Sequence, residues 1–109
     1  MVAAQGINRQ LQLLTREAAA ASPGQLGVFE VVADDGATLY LGAAGALEPF
    51  GLRTALGAAA ERWPGASFRY ETTHGYMTRW QELLMLHVVA HGSVPAANEG
   101  DAHRIGRLS

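Results

Sequence analysis

Residues 27–41, GVFEVVADDGATLYL, contain the clearest structural pattern in the sequence. Its first part is rich in β-branched and aromatic side chains, which is typical of a strand. Asp35-Gly36 follows, and an Asp-Gly pair between two apolar runs predicts a tight turn because glycine tolerates positive φ. The return strand, residues 37–41, alternates Thr38 and Tyr40 with leucines. The sequence therefore predicts an antiparallel hairpin at the start of a small sheet.

Four further patterns surround the hairpin. Residues 5–21, 50–63 and 76–91 repeat apolar side chains every three or four positions, which is typical of helices. Residues 67–73 alternate between apolar and polar, as a third strand does. Glycine and proline interrupt the chain after each predicted helix. We expect an α/β (α+β) domain in the order α-β-β-α-β-α, with a three-stranded antiparallel or mixed sheet flanked by helices.

Length and composition bound the class of protein. The 109 residues suffice for one hydrophobic core, and 49% of them are hydrophobic. The absence of cysteine excludes disulfides, a zinc–cysteine site and a thiol nucleophile. No apolar run is long enough to span a bilayer, and the N-terminus lacks the pattern of a signal peptide. We therefore expect a cytoplasmic protein without a membrane partner.

The charge balance limits the affinity expected for nucleic acid. Ten acidic residues face eight basic ones, all arginine, so the formal net charge is −2. Proteins that hold a phosphate backbone gain much of their affinity by displacing counterions with basic side chains. Eight arginines spread over the whole chain form no evident patch. Tight binding of DNA without assistance is therefore not expected.

A set of landmarks follows the hairpin in a distinctive order. The motifs are GVF at residues 27–29 and YLG at 40–42, followed by Arg53 on a predicted helix, Glu82 on a later helix, and Asn98 shortly after a proline. This order resembles the GIY-YIG endonuclease superfamily, in a divergent form. The resemblance covers residues 26–98. Residues 1–25 would then form an N-terminal amphipathic helix that packs on the domain, and residues 99–109 a polar C-terminal tail.

The resemblance implies a metal-dependent endonuclease that hydrolyses DNA phosphodiester bonds. Such chemistry needs an activated water, a base for its proton, and positive charge against the developing phosphorane. By resemblance, Glu82 would anchor one Mg²⁺ or Mn²⁺ ion, which needs few protein ligands. Arg53 would clamp a phosphate oxygen. Tyr40 would orient or deprotonate the water, and Asn98 would help to position the site.

Substrate contacts are expected from Arg53 and from Gly42, where the backbone would approach the substrate closely. Phe29 and His74 complete the expected substrate-binding residues, with His74 as a second base at the end of the third strand. The bound DNA would be held weakly. A homodimer or a protein partner would use the 5–21 helix if its apolar stripe stays exposed.

Two departures from the family pattern support a different function. Phe29 stands where the family usually has tyrosine, so a hydroxyl that could bind the water is lost. Gly57 lies one turn beyond Arg53, where the family often has tyrosine or histidine. The alternative is a catalytically impaired GIY-YIG-like module serving nucleic-acid or protein binding. In a third class, an unrelated ligand-binding or dimerisation module, Tyr40, Arg53 and Glu82 would not converge in space.

Overall fold

The computed structural model describes residues 5–105, which fold into an α+β domain with a four-stranded antiparallel sheet flanked by helices. Its elements in chain order are β1 (Gln12–Leu13), α1 (Arg16–Ala20), β2 (Gly27–Val32), β3 (Thr38–Ala44), α2 (Leu52–Arg62), β4 (Ser67–Thr72), α3 (Tyr76–His91) and a 3-10 segment (Ala96–Ile105). The predicted fold class is confirmed, although the sheet has one strand more than the three expected.

The strands lie in the order β1-β4-β2-β3, so β3 and β1 form its two edges. The predicted hairpin is present: β2 pairs with β3 in a register that sets Phe29 opposite Gly42. Gly36 takes a φ of 89° in the turn, which is the conformation that favours glycine there. A register shift between Val31 and Val32 marks a bulge near the turn. The hairpin delivers Tyr40 to an edge of the sheet.

Each face of the sheet has its own apolar core. Since side chains alternate along a strand, β2 sends neighbouring residues to opposite faces. On the face covered by α1 and α2, the buried side chains include Phe29, Val31, Leu52, Leu56 and Phe68. On the face covered by α3, they include Val28, Leu41, Trp80, Leu83 and Leu84. The molecule thus has three layers, with the sheet in the middle.

The predicted helix over residues 5–21 is wrong in extent, because only Arg16–Ala20 is helical. Ile7 packs in the core under α3 and Leu14 in the core under α2, so their side chains lie on opposite faces of the sheet. One continuous amphipathic helix presents its apolar residues on a single side and could not reach both cores. The helix starts instead at Thr15, whose Oγ1 accepts a hydrogen bond from Ala18 N at 3.0 Å.

The C-terminal region packs more closely than a polar tail would. Gly92 ends α3 in the left-handed conformation, with a φ of 83°, and its N–H bonds the carbonyl of Val88. The 3-10 segment then contacts both β3 and α3 and crosses the domain boundary expected after residue 98. Residues 106–109 of the predicted tail lie outside the described part of the chain. Within residues 5–105, no helix is long and apolar enough to cross a membrane.

Candidate functional site

Tyr40 lies half-buried on the edge strand β3, on the face covered by α2. Its ring stacks on Trp63, with centroids 5.1 Å apart, and leans on Phe29 at 5.9 Å. The guanidinium of Arg62 lies 5.8 Å from the centroid of the same ring. Burial raises the pKa of Tyr40, the charge of Asp101 raises it further, and Arg62 acts in the opposite sense. The phenol therefore stays neutral at physiological pH.

Two adjoining concavities open beside Tyr40, and together we call them the edge groove. The first, of about 310 Å³, is lined by Tyr40, Ala43, Gly45, Leu47, Glu48, Tyr76, Met77, Trp80 and Asp101. The second, of about 210 Å³, is lined by Phe29, Tyr40, Ala43, Glu48, Ala55, Ala58, Ala59, Arg62 and Trp63. Tyr40, Ala43 and Glu48 belong to both. The edge groove therefore combines aromatic walls with charged side chains.

The loop after β3 shapes the floor of the groove. Glu48 Oε2 accepts a hydrogen bond from Gly45 N at 2.9 Å, which closes the loop on itself. A Cβ on Gly45 would lie 2.7 Å from the ring of Tyr76, so glycine lets that ring pack against the loop backbone. Leu47, at the rim, is 95% exposed. Glu48 and Tyr76 are thus held in place by one short loop.

Asn98 binds the backbone of β3 and is fully buried. Its Oδ1 accepts a hydrogen bond from Leu41 N at 2.8 Å, and its Nδ2 donates to Leu41 O at 2.9 Å. Trp80 Nε1 donates to the same carbonyl at 2.8 Å. Asn98 Nδ2 also donates to Asp101 at 3.1 Å. Both donor positions of the Asn98 amide and one lone pair of its oxygen are therefore used within the protein itself.

Glu82 lies on the opposite side of the sheet from Tyr40. Its carboxylate accepts a hydrogen bond from Arg79, three residues earlier on α3, and its side chain is 43% exposed. Arg79 also donates to Glu71 at 2.8 Å, and that bond is the main reason for the raised pKa of the guanidinium. Glu71 lies on β4, which is two strands away from β3. Two strand spacings correspond to about 9.5 Å across the sheet. Glu82 thus forms an ion pair with Arg79.

The carboxylate of Glu82 is already in an ion pair with Arg79. A divalent cation bound there would compete with Arg79 for the carboxylate. Among the described residues, no group of three or more His, Cys, Asp or Glu side chains is arranged to hold a metal.

Arg53 lies at the start of α2 and turns toward α1. Its Nε donates to the carbonyl of Ser22 at 3.0 Å, and its guanidinium lies 5.9 Å from the ring of Phe50. Arg62, which does contact Tyr40, follows nine residues later, about 13.5 Å along the helix axis. Arg53 therefore binds the backbone just after α1 and lies apart from the edge groove.

The remaining predicted residues divide between packing and surface. Phe29 is only 3% exposed, and a Cβ on Gly42 would clash with its ring. The missing side chain of Gly42 thus makes room for Phe29. His74 is exposed and lines a separate concavity of about 420 Å³, together with Thr72 and Glu48.

The structure brings Phe29, Gly42 and Tyr40 together, and leaves Arg53 and Glu82 away from them. Sequence reasoning missed Glu48, Tyr76 and other residues that line the edge groove. Their positions depend on β3 being an edge strand and on where α3 crosses it, which no periodicity encodes. The one local signal is Gly45, the glycine on which the ring of Tyr76 packs.

One comparison with known proteins identifies a family. The model of a family described as a domain of unknown function (DUF7508) matches residues 6–90. That range includes Tyr40, Glu48 and Tyr76 of the edge groove and ends before Asn98. No curated protein matches the chain.

Proposed function

We propose that this chain, which belongs to the DUF7508 family of domains of unknown function, is a catalytically impaired GIY-YIG-like module that binds a segment of a partner protein in the edge groove. The observation that carries the proposal is the separation of Tyr40 from Glu82 by the sheet. Hydrolysis of a phosphodiester on one metal ion requires the water-activating group and the metal anchor within a few ångströms of one phosphate. The described arrangement offers no such meeting point.

The surface of the edge groove favours recognition of a protein. Tyr40, Tyr76 and Trp63 line it, and aromatic side chains are enriched where proteins bind partners. Leu47 stands almost fully exposed beside them. An exposed apolar side chain beside an aromatic concavity adds apolar area that a partner can bury. The groove therefore supports a binding function that needs no catalytic group.

The charge of the groove disfavours nucleic acid as the partner. Glu48 and Asp101 both line the larger concavity, where their carboxylates repel phosphates. Arg62, whose guanidinium lies near the ring of Tyr40, also lies over the ring of Trp63 at 4.3 Å. The whole chain carries a net charge of −2, so no surplus of positive charge compensates. A polypeptide segment meets no such repulsion.

Selection from a displayed library of random peptides tests the proposal. Peptides that bind the wild-type protein are expected to share a motif and to lose affinity for Tyr76→Ser, which removes an aromatic wall of the groove. Leu13→Ser is the matched control, because Leu13 is an exposed apolar residue on the other edge of the sheet. Peptides that bind wild type and Tyr76→Ser equally would place the binding surface elsewhere, and a selection without any shared motif would contradict the proposal.

A further inference from the structure

The larger concavity of the edge groove has the composition of a cation-binding pocket. Tyr40, Tyr76 and Trp80 contribute aromatic rings to its lining, and Met77 adds a polarizable thioether. The face of an aromatic ring attracts a cation through its quadrupole, and this attraction increases when water is excluded. A volume of about 310 Å³ is in the range of pockets that receive small chemical groups.

Glu48 supplies the matching negative charge. Its hydrogen bond from Gly45 N fixes the carboxylate at the junction of the two concavities. That bond is the only one that its carboxylate accepts from the described residues, so an oxygen remains available to a ligand. A carboxylate that is fixed beforehand loses little freedom when a cation binds to it.

The electrostatic field at Tyr40 agrees with this composition. The charges of Asp101 and Glu48 both raise the pKa of the phenol, as negative charges nearby do. Arg62 opposes them from the smaller concavity, where its guanidinium is stacked on Trp63. Of the two concavities, the larger is lined by the carboxylates of Glu48 and Asp101 and is not lined by Arg62.

We infer that the larger concavity of the edge groove, which Tyr40 and Tyr76 line, receives the cationic end of a lysine or arginine side chain from the partner segment, against Glu48. The inference rests on the proposed binding function and adds the chemical class of the group that is recognised. A positively charged side chain satisfies the carboxylate and the aromatic walls at once. An apolar side chain would satisfy only the walls.

Four small probes separate charge from apolar contact. They are N-acetyl-lysine methylamide, its Nε-trimethyl form, N-acetyl-arginine methylamide, and the neutral isostere N-acetyl-norleucine methylamide. Titration of each into the full chain at constant ionic strength, followed by backbone amide chemical shifts, gives an affinity and a location. We expect the three cationic probes to shift the amides of Tyr40, Ala43 and Glu48 and to bind at least about fivefold more tightly than the norleucine probe.

Glu48→Gln is the decisive variant, because glutamine keeps the acceptor for Gly45 N and removes the charge. It should weaken the cationic probes about fivefold and leave the norleucine probe unchanged. Glu17→Gln is the matched control, since it removes the same charge from an exposed residue in the first turn of α1. It should leave all four affinities as in wild type.

The outcomes distinguish this inference from the proposed function beneath it. Equal binding of all four probes at the edge groove would overturn the cation preference and leave the binding function supported. A loss of cationic affinity in Glu17→Gln as large as in Glu48→Gln would show mere attraction by net charge, and would also overturn the inference. If no probe binds at a defined place, the inference is overturned. The peptide selection described above tests the binding function separately.

Discussion

The side-chain amide of Asn98 pairs with both backbone polar groups of Leu41, at 2.8 and 2.9 Å. A carboxamide carries the same donor and acceptor as a peptide group, so Asn98 does at this one position what a neighbouring strand would do. Because Trp80 donates to the same carbonyl, the contact also joins α3 to the sheet edge. The residue predicted to help position a catalytic site holds the backbone beside Tyr40.

Replacing Asn98 tests this relationship. Asn98→Asp keeps the shape and loses the donor, and Asn98→Leu loses both bonds and leaves the buried N–H of Leu41 without an acceptor. Each variant should lower the free energy of unfolding by about 2–4 kcal/mol, measured by urea denaturation. Glu99→Gln, at an exposed neighbouring position, should stay within about 0.5 kcal/mol of wild type. Equal stability of Asn98→Leu and wild type would contradict a structural role.

Two glycines offer a matched pair of substitutions with opposite expected signs. Gly42→Ala sets a methyl group against the ring of Phe29 and should destabilise the fold by about 1–3 kcal/mol. Gly57 lies inside α2, and a Cβ at this position would have no other atom within 4 Å. Gly57→Ala should therefore stabilise the fold by about 0.5–1 kcal/mol. Thermal and urea unfolding of both variants give the comparison.

A double substitution checks the cause of the Gly42 effect. Phe29→Leu removes the ring that the new methyl group would meet, so the cost of Gly42→Ala should be smaller in the Phe29→Leu background than in wild type. Strictly additive costs would show that the methyl group meets another obstacle, of which the ring of Tyr40 at 2.8 Å is the nearest.

DNA cleavage is expected to be absent. Supercoiled and branched DNA should remain intact with the pure protein and Mg²⁺ or Mn²⁺, because Glu82 is paired with Arg79 on the face away from Tyr40. Glu82→Ala should behave like wild type and cost only a few tenths of a kcal/mol, as exposed ion pairs do. Metal-dependent nicking that vanishes in Glu82→Ala would instead establish the nuclease that the resemblance implies.

Titration of Tyr40 predicts a pH dependence at the alkaline end. Its pKa in the folded state is raised above 10.0, chiefly by burial, so the unfolded chain loses this proton first as the pH rises. The phenol therefore contributes stability below pH 10.0, and the contribution disappears as the pH passes through the pKa of the folded state. Tyrosinate absorbance should show a step above pH 10.0 in wild type that Tyr40→Phe lacks. If the component that the variant loses titrates at or below pH 10.0, the assignment is refuted.

Local patterns predicted the middle of the chain well. The hairpin depends on an Asp-Gly turn between two apolar runs, and both signals lie within a few residues of each other. The expected helices over 50–63 and 76–91 nearly coincide with Leu52–Arg62 and Tyr76–His91. The prediction for the N-terminal segment was wrong because its structure depends on distant residues. Gln12 pairs with Phe68, and Ile7 and Leu14 pack in different cores.

The candidate site was harder to predict than the fold. Glu82 stood out in the sequence as a carboxylate in an apolar helix, yet its neutralising arginine lies three residues earlier, a spacing that can be read from the sequence. Tyr40 was singled out, but the groove around it draws on Trp63 from α2 and Tyr76 from α3. Only the crossing of these helices over β3 brings them together, and that crossing is a long-range property.

The side-chain amide of Asn98, which pairs with the sheet edge at Leu41, also affects the long-term chemical stability of the protein. Asparagine side chains hydrolyse slowly to aspartate, and heat accelerates the loss. At Asn98 that chemistry would remove the donor to Leu41 O and leave Trp80 as the donor to that carbonyl, at an edge of the sheet. Unpaired strand edges are where proteins exchange segments and begin fibrils. The pairing at this sheet edge thus depends on the amide of one buried side chain staying intact.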